Sequence, residues 1–383
     1  MAAILKRWLW ICLLPVLSGC SAEYYLRAAW EEGRILWRRT PIATMLAGDG
    51  LAPEVRRKLE MVLEVREFAR DELGLNVGGS YAAHSYVDRR VLLHVLTAVP
   101  MTSLEPHTWW FPFVGRVPYK GYFDPDDARE EAAALAARGF DTNIRPAGAF
   151  STLGWFDDPL LGHLLELDRV TLAEVVLHEL LHNTLYVPGS VAFNESLANF
   201  VGKRGAIDFF TRRHGPQSPE AVAARRAWRE EVEFSGLMME LTRCLRALYA
   251  GSAPEAEKLR RREQVFARGQ QRWAKALAGR PRHRHASFSR RSLDNAVILQ
   301  DLLYVTDLAR FEDLYQREGR RLPQAVEAVR AAARETERPF DALPRPAARA
   351  RLSGSAAVYE VCEAGSPVVT GPMSHAGELG EAR

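Results

Sequence analysis

Between Thr171 and Gly202 the chain reads TLAEVVLHELLHNTLYVPGSVAFNESLANFVG, with histidines and glutamates set among apolar residues. A buried, unpaired carboxylate or imidazolium costs several kcal/mol, so such groups are normally paired or bound to a metal. Whatever fold the chain adopts must therefore bring these groups to a common partner.

The local pattern says how. Thr171 and Glu174 have the T-x-x-E spacing of a capping box, which predicts a helix from Leu172 that Pro188 and Gly189 end. Inside it lies His178-Glu179-Leu180-Leu181-His182, an H-E-x-x-H motif. Residues four apart share a helix face, so both imidazoles can reach one ion. Glu179 is turned about 100° from His178 and can face a metal-held water as a general base without ligating the metal. A catalytic site needs a third ligand from a neighbouring helix. Glu195 in FNESLANFVG supplies it, after a short loop around PGS. Asn199, four residues on, shares its face and is placed to hydrogen-bond the second nitrogen of a ligand histidine. Either histidine alone would read better as a satisfied core residue; the four together read as a metal site. Two histidines and one glutamate favour zinc over cobalt or manganese.

The first twenty residues, MAAILKRWLWICLLPVLSGC, carry basic Lys6 and Arg7, then an apolar run from Trp8 to Leu17. That run is far short of the ~20 residues that span a bilayer and reads as the core of a secretory signal. Leu17-Ser18-Gly19-Cys20 resembles the bacterial lipobox. The resemblance implies a signal peptide over 1–19, a lipidated Cys20, and a mature protein tethered to the bacterial envelope facing the periplasm. Ser21 after the cysteine favours the outer membrane. Cys244 and Cys362 are then the remaining thiols, as a pair or free.

Along the rest of the chain, helical periodicity runs from Ala52 to about Leu73. From 80 to 154 the texture becomes β-rich, with one helix over PDDAREEAAALAARG, started by aspartates and ended by Gly139. After Asp157 helices dominate: the pair at 171–203, then long ones near 218–250, 254–278, 292–318 and 322–337. The order predicts an α+β fold over 20–340, a short β-sheet followed by a mostly helical part, and a disordered tail over 341–383. The 383 residues are 47% hydrophobic and 26% charged, with a net charge of +3. That balance suits a soluble globular domain, offers no case for nucleic acid, and leaves the oligomeric state open.

Beyond the site, VGRVPYKGYFD, AFSTLGWFDDPLL, HELLHNTLYV, FNESLANFVG and LDNAVIL resemble the bacterial lipoproteins known as predicted aminopeptidases, over Cys20 to about residue 340. The site itself resembles the gluzincin metallopeptidases. The resemblance implies a zincin-like fold and zinc-dependent hydrolysis of peptides or proteins, as an aminopeptidase or as an endopeptidase. The chain departs from the pattern in three respects. The His182-to-Glu195 gap is short, Asn199 stands where better-known gluzincins have Asp, and no G-x-M-x-N motif precedes the zinc helix. The rival reading is a non-catalytic envelope lipoprotein with a binding or assembly role.

Several other residues enter the expected mechanism. Tyr186, Asn295 and Tyr304 are candidates to steady the oxyanion. The segment 147–154, AGAFSTLG, is a candidate strand for pairing with substrate backbone. Asp157 and Asp158 read as a helix cap rather than a calcium site, and Trp109, Trp110, Phe111 and Phe113 as core. The basic stretch from Lys258 reads as a solvated helix face plus a loop rather than a surface for anionic lipid. His283 and His285 within it are poor metal candidates.

Overall fold

A computed structural model of the chain describes residues 30, 33–86, 93–111, 115–147, 157–336 and 338–344. The expected signal peptide, Cys20, Phe113, residues 148–154 of the candidate substrate strand, Cys362 and the tail from 345 lie outside the described residues. The architecture is α+β, with the strands early and the helices late.

The main sheet is antiparallel, in the order β6 (Lys120–Tyr122), β3 (Leu93–Pro100), β7 (Phe140–Ala147). β3 and β7 pair along their whole lengths, from Leu93 opposite Ala147 to Pro100 opposite Phe140. β3 is buried on both faces. Leu96 and Ala98 meet Ala128, Ala132 and Leu135 of α3 (Pro125–Ala136), while Val99 joins the large helical core. With β3 central, β7 is an edge strand of this sheet among the described residues. A small sheet joins β1 (Arg39–Pro41), β2 (Ala83–Ser85) and β8 (Leu160–Leu161), and a hairpin joins β4 (Trp109–Phe111) to β5 (Gly115–Val117). The early helices are α1 (Ile42–Ala47) and α2 (Pro53–Asp71).

The later helices are α4 (Arg169–His182), α5 (Val191–His214), α6 (Pro219–Ala250), α7 (Glu255–Ala276), α8 (Asn295–Val305), α9 (Leu308–Arg317) and α10 (Leu322–Arg334). α8 packs against β3 and β7 and also against α5 and α6, so it couples the sheet to the helical layer. None of the helices among the described residues is long and apolar enough to cross a membrane.

Several expectations are corrected. The T-x-x-E box does not start α4: the cap is Asp168, whose carboxylate accepts the Val170 and Thr171 N–H groups at 3.0 Å each. Glu174 is instead buried in an ion pair. α4 stops at His182, before Pro188. The stretch 292–318 is two helices, because Asp307 adopts a left-handed φ of 52° and the Thr306 N–H goes to Ser196 Oγ at 2.9 Å. Among the described residues the next helical turn, Gly162–Glu166, has Leu161 rather than Asp157 or Asp158 at its N-cap, and Asp157 accepts the Gly79 N–H at 2.7 Å. Trp110 is 64% exposed, not core. In the basic stretch, Arg262 is buried on Asp141 at 2.7 Å and Arg284 reaches Glu231 at 3.3 Å, so the cations there are only partly solvated.

Candidate metal centre

α4 and α5 lie antiparallel and unusually close. A Cβ on Gly202 would fall 2.6 Å from the Glu174 carbonyl oxygen, and one on Gly205 would fall 2.9 Å from Leu177. At Gly202, where the neighbour is backbone, only glycine permits that approach; at Gly205 the Leu177 methyl would have to shift. The approach brings Glu195, two turns before Gly202 on α5, against His178 and His182 on α4. Asn194 fixes the connection. Its side chain, 1% exposed, accepts the Val187 N–H at 2.9 Å and donates to the Val187 carbonyl at 2.8 Å. The short gap that sequence alone made demanding is closed by that two-sided clamp.

The three side chains converge. His178 Nε2 and His182 Nε2 are 3.2 Å apart, and Glu195 lies 3.3 Å from the first and 3.8 Å from the second. Tetrahedral ligation at 2.0–2.1 Å places ligand atoms about 3.3 Å apart, so the donors match the spacing around one small ion. Among the described residues this is the group of histidines and carboxylates that can hold a metal.

At His182 the electrostatics favour ligation. Burial pulls the His182 pKa down to about 4 against the pull of Glu195, leaving the neutral imidazole that ligation requires. Burial also opposes charge on His178 and Glu195. Their mutual hydrogen bond, with neighbouring charges, outweighs it, raising His178 and lowering Glu195.

Tyr304 stands over the triad, its ring centroid 6.3 Å from that of His178. It is held there by the end of α8, whose last carbonyls have no helical partner. Ser196 Oγ donates to the Leu303 carbonyl at 3.0 Å, Asn199 Nδ2 to that of Tyr304 at 2.7 Å, and Ser235 Oγ to that of Val305 at 2.6 Å. Asn199 therefore does not serve a ligand histidine, as its helix position had suggested. It ties Tyr304, and Glu231 at 3.2 Å, to α5. His182 Nδ1 has no partner among the described residues.

Tyr186 is half-buried. After burial itself, the Glu195 charge is what raises its phenol pKa, which puts it beside the triad. A cleft of about 300 Å³ opens beside it, lined by Thr184, Leu185, Pro188, Arg330 and Arg334. Asn295 is not at the site. It is fully buried at the start of α8, donating to the carbonyls of Pro100, Met101 and Ser103 and accepting from Tyr249.

Two residues escaped the sequence reading. Burial and then Glu195 push the Tyr119 phenol well above its usual range. Arg145 on β7 donates to the Tyr304 hydroxyl at 2.7 Å, and its charge helps hold Glu195 ionised. Tyr119 lies within VGRVPYKGYFD, a stretch that carries the family resemblance without marking a site residue, and the NIRP segment around Arg145 offered only strand texture.

The fold and site define an α+β protein with a two-histidine, one-glutamate triad that can hold a metal ion, on a pair of tightly packed helices. The chain belongs to the family described as "Putative aminopeptidase", whose model matches residues 23–340. No curated protein and no solved structure matches it.

Proposed function

We propose that the chain is a zinc-dependent peptidase of zincin-like fold, an aminopeptidase of the bacterial envelope tethered through a lipidated Cys20. The convergence of His178, His182 and Glu195 at tetrahedral spacing carries this reading, with Glu179 next to them on α4. Zinc on such a site acts as a Lewis acid and acidifies water toward a pKa of ~7.

The chain's own residues supply the rest. Glu179 takes the proton of the attacking water and delivers it to the leaving amine as the peptide bond breaks. The Tyr304 hydroxyl, which accepts from Arg145, is free to donate its own proton toward the oxyanion that forms. Tyr186 and Tyr119 flank the same space, and burial raises all three phenols above an ordinary value near 10 that already leaves them protonated at neutral pH.

The test is metal content and peptide turnover of the purified protein, with Glu179→Gln beside it. About one zinc in both, and cleavage only by the unmutated chain, is the expected result. An absence of metal from both would sink the site.

A further inference from the structure

Arg145 is half-buried on edge strand β7, and its Nε has no hydrogen-bond partner and no exposure. The guanidinium touches Tyr304 through the hydroxyl at 2.7 Å and through the ring face at 5.4 Å. It has no carboxylate partner among the described residues, and the nine residues after Ala147, GAFSTLGWF, contain no acid. Three other interior arginines are paired, Arg262 with Asp141, Arg204 with Glu312 and Arg284 with Glu231, while half-buried Arg66 gives its donors to the Ser80 and Gly78 carbonyls. A guanidinium taken out of water without an anion is costly, and its planar fork matches a carboxylate.

The charges around the triad point the same way. With a divalent ion in place, Glu179 and Glu195 cancel it, and Arg145 remains as one net positive charge. Lys203 behind the triad is already matched by Glu174 and Glu231. The negative charges that bear on Tyr304 come from Glu195 and Glu179, both committed to the metal site. Among the described residues, the centre therefore lacks one anion.

We propose that Arg145, steadied by Tyr304, binds a carboxylate of the substrate. The inference rests on the peptidase reading and names its substrate class. The guanidinium lies 5.4 Å from the Tyr304 ring, which lies 6.3 Å from the His178 ring, so it is roughly 12 Å at most from the triad. At 3.3–3.6 Å per extended residue, the carboxylate sits within about three residues of the scissile bond. Either a C-terminal carboxylate of a short peptide or an Asp or Glu side chain supplies it.

The test is equilibrium binding of Ala-Ala-Ala against its C-terminal amide, and of Ala-Glu-Ala amide against Ala-Gln-Ala amide. Both pairs are titrated into the full chain, metal-stripped and as zinc-loaded Glu179→Gln. Loss of the recognised carboxylate should raise Kd roughly ten- to a hundredfold. The pair that shows the change identifies the source. In Arg145→Met the ratio should fall to about one, and in Arg145→Lys to an intermediate value. Equal binding within both pairs, or a preference that survives Arg145→Met or is unchanged in Arg145→Lys, overturns the proposal. If Arg145→Met does not fold, the peptide pairs and the lysine variant still decide. A uniform fall in kcat for all peptides, with no carboxylate preference, would assign Arg145 to the oxyanion instead and overturn it too. Carboxylate preference in a chain that cannot be loaded with zinc would sink the peptidase reading and leave carboxylate binding by Arg145 standing.

Discussion

Lys203 Nζ lies 2.9 Å from Glu174 Oε2, with both side chains under 10% exposed, on the two helices that carry the metal triad. Glu231 stands 3.4 Å from the same ammonium and also meets Arg284 and His285. Burial opposes charge on Glu231, but Lys203, a hydrogen bond to His285 and Arg284 hold it well below the usual carboxylate range. The network braces α4 and α5 from behind. Lys203→Met leaves two buried carboxylates short of their shared cation and should destabilise the fold by about 3–5 kcal/mol. Urea denaturation measures this, and a loss below about 1 kcal/mol would show that the pairs are idle.

Gly202→Ala tests the close approach of the two helices. The new methyl meets the Glu174 carbonyl, which is backbone and cannot swing aside. Overpacking of this kind costs about 1–3 kcal/mol. Because the strain falls one turn from His178, zinc affinity should drop with stability. A variant with unchanged metal affinity would separate the helix contact from the site.

Removing a ligand is the direct test of the triad. Glu195→Gln or His182→Ala should weaken zinc binding by more than the roughly 10–100-fold typical of losing an outer partner. Competition with a chelator reads the affinity. Full retention of metal in both variants would place the ion elsewhere.

Tyr304→Phe keeps the ring over His178 and removes only the hydroxyl. Turnover should fall about 10²-fold, the loss usual for one oxyanion donor, with zinc content unchanged. Unchanged kcat in this variant would pass the role to Tyr186 or Tyr119.

Asp208, on α5, is raised by burial to a pKa of about 6, against the pull of Arg212 and Arg204. A carboxyl whose folded pKa is raised favours folding when protonated, below its unfolded value near 4. That contribution is lost as pH climbs through about 6. Asp208→Asn should therefore stabilise by about 1 kcal/mol at pH 7 and by almost nothing at pH 4, as denaturation at the two values would show. An equal gain at both would rule out the titration.

What could be read in advance follows the range of the physics involved. The H-E-x-x-H face is a matter of 3.6 residues per turn, so His178, Glu179 and His182 were legible at once. The boundaries of α6 and α7 were legible too, from proline and glycine punctuation. The start of α4 was misread because two capping patterns overlap there, and Glu174 was wanted by Lys203 across the helix interface. Asn199 and Asn295 illustrate the same limit. An amide has donors and acceptors for any neighbour, and sequence does not say which carbonyls will lack partners.

By itself, then, the sequence determined the α+β order of elements, the helix that presents two imidazoles, and the glutamate available on the next helix. Those depend on local periodicity and on spacing along the chain. Only the tertiary structure decided that Gly202 and Gly205 let the helices close, that the end of α8 sets Tyr304 over His178, and that Arg145 arrives from an edge strand some thirty residues before the motif. Those depend on close packing and on the satisfaction of buried polar groups. Such forces act between segments far apart in the chain and leave no periodic trace in it.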